Sequence, residues 1–137
     1  MFSNHRGTED TEKKLSEDEL TEKIIGCAIE VHRHLGPGLL ENAYEECLCR
    51  ELALQGINFE RQVSLPVEYK GVKLDCGYRM DLVIKGKAVV EIKTVEKLIP
   101  LHEAQLLTYL KLSGLRVGLL LNFNTPVLRS GIKRLVN

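Results

Sequence analysis

The run Val117 to Phe123, VGLLLNF, narrows most what this chain can fold into. Successive residues of a strand point to opposite faces of its sheet. A strand that is apolar at consecutive positions must therefore be covered on both faces, which calls for helices above and below it. The upstream sequence supplies such helices. Ser16-Glu17-Asp18-Glu19 reads as a capping box with an acidic first turn. Leu20, Ile24, Ala28, Val31 and Leu35 then recur at helical spacing until Gly36-Pro37-Gly38 stops the pattern. A second helix is expected from Leu39 to Gln55, with Gly56 as its stop. Strands are expected at Ile57–Gln62, then over the alternating Val63, Leu65 and Val67, and again at Val72 and Leu74 after a turn at Tyr69-Lys70-Gly71. Met80–Ile84 and Ala88–Ile92 follow, separated by Lys85-Gly86-Lys87. Pro100 opens a third helix, Leu101 to Ser113, closed by Gly114, and Ile132–Val136 reads as a last strand. The order is αα-βββ(β)-α-β-β, an α/β fold with a mixed β-sheet core flanked by helices.

A length of 137 residues suits one domain with one core. We expect a flexible polar tail over residues 1–15 and a single domain over 16–137. No apolar run approaches the roughly 18 residues of a membrane span, and MFSNHRGTEDTEKK has no apolar signal core. The expected location is cytoplasmic. Cys27, Cys47, Cys49 and Cys76 form no CxxC pair, so buried, reduced thiols are expected instead of a zinc or iron-sulfur framework. The net charge is zero, yet residues 1–60 carry 6 Lys and Arg against 13 Asp and Glu, and residues 61–137 carry 13 against 6. A basic second half can attract phosphate.

The segment Met80 to Lys93 carries the chemistry. With a three-residue loop at Lys85–Lys87, Ile84 faces Ala88 and Asp81 faces Glu91. Directly opposed residues share a face at about 5 Å between Cβ atoms, and a like-charge pair so placed costs stability. Lys93, two residues beyond Glu91, points the same way. Val83 and Val89 share that face, so the acids emerge from an apolar patch. A hard divalent cation compensates such a pair, since Mg2+ is held by one or two carboxylates plus water and phosphate. Lys93 can offset part of the charge and help activate water. A loop of two or four residues would separate the acids onto opposite faces.

Glu41 is expected near the start of the second helix, on one face with Tyr44 and Leu48, as a third oxygen ligand. Gln105 and Tyr109 lie four apart on the third helix and can hold a phosphate or a water. His32 and His34 do not share a helical face and suit the helix C-terminus. No GxxxxGK loop is present, and with no tryptophan and seven aromatics a base-stacking platform is not expected.

Gly38-Leu39-Leu40-Glu41-Asn42-Ala43-Tyr44 resembles the signature of the GxxExxY protein family, which is assigned to the PD-(D/E)XK nuclease superfamily. The resemblance spans roughly Glu22 to Val136. The superfamily's strand acid falls on Asp81, its (D/E)-x-K on Glu91-Ile92-Lys93, and a glutamine-x3-tyrosine helix motif of the RecB-like branch on Gln105 and Tyr109, with that branch's helical acid on Glu41. The resemblance implies a restriction-endonuclease-like fold and a Mg2+- or Mn2+-dependent nuclease acting on DNA or RNA. Asp81, Glu91, Glu41 and the Ile92 carbonyl would hold the metal. Lys93 would act on the water, and Gln105 and Tyr109 on the scissile phosphate. The alternative is a non-catalytic nuclease-like module that binds nucleic acid or a partner protein. A homo-oligomer or a targeting partner fits either reading.

Overall fold

The computed structural model describes residues 15–137, so the expected tail lies outside the described residues but for Leu15. Helix α1 (Glu17–Leu35) starts on the expected capping box: Glu19 N–H donates to Ser16 Oγ and Ser16 N–H to Glu19 Oε1, both at 3.1 Å. Leu20, Ile24, Ala28 and Val31 are buried, and Leu35 is half-buried. Helix α2 (Glu41–Leu54) begins two residues later than its sequence suggests. The Tyr44 hydroxyl accepts Leu39 N–H at 3.1 Å and donates to the Gly36 carbonyl at 2.6 Å. That tie keeps the segment before Glu41 out of the helix, and Leu40 is extended.

The strands are β1 (Phe59–Ser64), β2 (Val67–Tyr69), β3 (Val72–Leu74), β4 (Arg79–Ile84), β5 (Ala88–Lys93), β6 (Val117–Asn122) and β7 (Ile132–Val136). Helix α3 (Pro100–Ser113) lies between β5 and β6, and a short 3-10 turn (Leu128–Gly131) leads into β7. The first strand is displaced from its expected span: it starts at Phe59 and runs through Val63 to Ser64. β2 and β3 form a separate two-stranded sheet.

The main sheet has the order β1-β4-β5-β6-β7. β5 and β6 are parallel, joined through α3, and the other neighbours are antiparallel. β6 is buried along its whole length, with a helical layer on each face as its composition requires. Leu82, Ile84, Val90, Ile92, Leu119, Leu121 and Phe123 pack with α1 and α2. Val83, Val89 and Leu120 pack with Leu106, Tyr109 and Leu110 of α3. Gly118 is what lets α3 sit so close: a Cβ there would stand 2.9 Å from the Leu106 side chain.

Candidate functional site

The β4–β5 hairpin turns at Lys85–Lys87 and pairs Ile84 with Ala88, Val83 with Val89 and Leu82 with Val90. The next pair in this register is Asp81 with Glu91, and there the ladder stops. Side chains take over. Glu91 Oε2 accepts the Asp81 N–H and Asp81 Oδ2 accepts the Ile92 N–H, each at 2.8 Å. Each acid thus satisfies a main-chain donor of the opposite strand. A strand residue's N–H and C=O project to the same side, so the Ile92 carbonyl also faces the opened gap.

Glu91 is only 5% exposed. Burial, then the Asp81 charge, pushes its carboxyl up to about 8, against the opposing pull of the Asp81 N–H and of Lys93. Burial also raises Asp81, opposed by its bond from Ile92 N–H. Two carboxylates side by side, one buried and one partly buried, resist being ionised together. One oxygen of each remains for other work. Asp81 Oδ1 lies 3.5 Å from Gln62 Nε2. Glu91 Oε1 accepts no hydrogen bond from the described side chains, and none of their buried polar atoms lacks a partner, so Oε1 meets solvent. Two carboxylate oxygens and a carbonyl beside water form a hard-oxygen donor set, which fits a Mg2+- or Mn2+-sized cation that keeps part of its water shell.

The remaining expected residues are distributed unevenly. Lys93, half-buried at the end of β5, is close enough to stabilise the Glu91 charge. Tyr109 is raised by burial and then by the charges of Glu91 and Asp81, with Gln105 acting in the opposite direction. Tyr109 therefore lies within reach of the acids' charge, and Gln105 lies beside it. Glu41 keeps the helical spacing that sets it on one side with Tyr44 and Leu48, but it is not buried with them. It is the first residue of α2 and is exposed, whereas the other two are fully buried. Its charge acts on both Asp81 and Glu91. Even so, no three His, Cys, Asp or Glu side chains among the described residues stand close enough to form a metal cluster.

Three neighbours were not singled out by spacing. Glu45, nearly buried on α2, accepts Arg61 Nε at 3.0 Å and Arg61 Nη2 at 2.9 Å on Oε2, and Gln62 Nε2 at 3.0 Å on Oε1. Their signal is the pairing of β1 with β4, which sequence periodicity does not contain. Two tyrosines form a further contact that spacing did not reveal. Tyr78 and Tyr109 meet edge-on, with centroids 6.1 Å apart. They line an apolar groove of about 500 Å3, with Leu101, Gln105 and Leu112. Aromatic scarcity in the composition did not prevent this local pairing.

A family model described as the PD-(D/E)XK nuclease superfamily matches residues 18–135. The chain belongs to that superfamily. No curated protein and no solved structure matches it. The five-stranded mixed sheet with helices on both faces is consistent with the restriction-endonuclease-like fold of PD-(D/E)XK nucleases. In this member the glycine and tyrosine of the GxxExxY-like segment have structural tasks. Gly38 takes φ +101°, a conformation that suits glycine. Tyr44 stacks on Phe123 at 4.4 Å while its hydroxyl staples the loop. Glu41 has an exposed side chain, whereas Tyr44 is fully buried. None of the helices among the described residues is long and apolar enough to cross a membrane.

Proposed function

We propose that this PD-(D/E)XK protein is a Mg2+- or Mn2+-dependent nuclease that hydrolyses phosphodiester bonds in DNA or RNA. The supporting observation is the open end of the β4–β5 hairpin, where Asp81 and Glu91 replace ladder pairing with their own side chains beside Lys93. Within the superfamily we assign the chain to the GxxExxY-like branch on Gly38, Glu41 and Tyr44.

Asp81, Glu91 and the Ile92 carbonyl would hold the cation, with Glu41 reaching it through water. A bound divalent ion supplies charge neutralisation and acidifies water. The protein's own groups do the rest. The two main-chain N–H bonds hold one oxygen of each carboxylate and leave the other available to a cation. Lys93 places a positive charge where the attacking water and the phosphate oxygens must lie, and so stabilises charge that develops in the transition state. Gln105 and the Tyr109 hydroxyl offer hydrogen bonds to the scissile phosphate or to Lys93, and the adjoining groove leaves room for the flanking nucleotide. A cytoplasmic setting, where thiols stay reduced, suits the four free cysteines.

The test is a cleavage panel in Mg2+ and in Mn2+ on plasmid, linear duplex, single-stranded DNA and RNA. Cleavage that EDTA abolishes and Lys93→Ala removes is the expected result. Metal-dependent nucleic-acid binding with no cleavage of any substrate would instead mark a non-catalytic binding module.

A further inference from the structure

Gln62 stands opposite Asp81 in the β1–β4 register, yet the two do not pair. The ladder runs from Phe59↔Ile84 to Arg61↔Leu82, omits Gln62, and resumes unshifted at Val63↔Met80. The omission has a local cause: Gln62 has φ +50°. No extra residue is inserted, since the register is the same on both sides. A left-handed glutamine in the middle of a strand costs free energy and a ladder bond, and such strain persists where surrounding structure over-determines it. The surroundings here are polar. Gln62 Nε2 donates to Glu45 Oε1 at 3.0 Å and points its other hydrogen at Asp81 Oδ1, 3.5 Å away. Glu45 is itself immobilised by Arg61.

We propose that Gln62 is a positioning residue for the candidate metal site, held in a strained backbone conformation so that one amide nitrogen spans Glu45 and Asp81. The side-chain type suits that task. A carboxamide nitrogen carries two hydrogens and can serve two acceptors at once. It is also neutral. A lysine or arginine at this position would permanently compensate Asp81 and compete with a divalent cation, whereas an amide orients the carboxylate and leaves its charge available. Arg61, the neighbouring cation, is turned onto Glu45 and Glu46 instead. Glu45 thus acts as an anchor held by Arg61, and Gln62 transmits that fixed position to Asp81 Oδ1, the oxygen not used by Ile92 N–H.

The proposal rests on Asp81 being a metal ligand, and its test separates the two ideas. Mn2+ affinity is measured by calorimetry for the parent, Gln62→Gly and Gln62→Asn, and each protein is melted in EDTA. Glycine relieves the positive φ and asparagine tolerates it, but glycine lacks the amide and asparagine is one methylene too short to span both acids. Both variants should melt at or above the parent temperature in EDTA, glycine by a few degrees. Both should bind Mn2+ about 10-fold more weakly, the loss typical when a ligand's hydrogen-bonding partner is removed. A role confined to holding the sheet together predicts lower melting with unchanged affinity. Parent and variants binding Mn2+ within twofold of each other would overturn the positioning role and leave the metal site standing. No binding by the parent at millimolar Mn2+ would overturn the metal site and this role with it.

Discussion

The two ends of the β4–β5 hairpin differ in almost every physical respect. At the turn end, Leu82 to Ile84 pair with Ala88 to Val90 in an unbroken ladder, and all six residues are buried apolar side chains. At the open end, one step further along the same strands, the ladder gives way to two acids that each accept a main-chain N–H of the opposite strand, Glu91 from Asp81 and Asp81 from Ile92. The first end is bound to both helical layers: Leu82, Ile84 and Val90 to α1 and α2, Val83 and Val89 to α3. The second end holds electrostatic repulsion in Asp81 and Glu91, and backbone strain in Gln62 across the sheet. Proteins place unfavourable terms where a function needs them and offset them elsewhere. Here the offset is adjacent, because the apolar end fixes the register that brings the acids together.

Removing packing at the turn end should have the largest effect. Leu82→Ala empties a fully buried site between β4 and the helices α1 and α2, and should cost about 2–5 kcal/mol. Denaturation should show the same loss in EDTA and in Mg2+. A loss confined to the Mg2+ condition would erase the distinction between the two ends.

Lys93→Ala acts at the other end. It should lower cleavage by about 100-fold or more, the loss of one group that stabilises transition-state charge. Thermal stability and Mn2+ affinity should change little. Lys93→Arg should not restore cleavage, since a planar guanidinium does not replace a compact ammonium. Full activity in Lys93→Ala, measured under single-turnover conditions, would remove the lysine from the proposed chemistry.

Glu91→Gln should produce a smaller change whose sign depends on metal. In EDTA the variant keeps the shape and loses one charge of a repulsive pair, so it should match the parent or exceed it by about 1 kcal/mol. In Mg2+ the order should reverse, because the parent gains from binding and the variant does not. Clear destabilisation of the variant in EDTA would make Glu91 the partner of a cation such as Lys93 instead.

The smallest effect is a slope. Folding raises the Glu91 carboxyl from 4.5 to about 8. Between those values the folded protein holds a proton that the unfolded chain has released, so metal-free stability should fall as pH rises from about 5 to 8. Below that window the contribution is complete and this slope disappears. Glu91→Gln should flatten the profile. A parent curve that rises across the window would contradict the buried, repulsive pair.

Much of this architecture was legible in residue order. Helical spacing at Leu20, Ile24, Ala28 and Val31 marked α1, and the unbroken apolar run at Val117–Phe123 demanded two covered faces. A three-residue turn at Lys85–Lys87 set the β4–β5 register, because side-chain alternation has period two and one slipped residue would reverse every face. These are local constraints, decided by spacing along the chain. Less local relations were not legible. Glu41 keeps its spacing to Tyr44, but the tie from Tyr44 to Gly36 and Leu39 starts the helix at Glu41, which is left exposed at its first turn. The first strand shifted toward Ser64 because its pairing with β4, 15 to 25 residues away, outweighs its own propensity. Gln62, Glu45 and Arg61 became neighbours of Asp81 only through that pairing, and the tyrosines at 78 and 109 met only because α3 packs over the sheet. Sequence alone determined which acids oppose each other on one hairpin. Tertiary structure decided how deeply they are buried and which side chains surround them, because desolvation and long-range contact depend on what packs across the chain and not on what lies beside it.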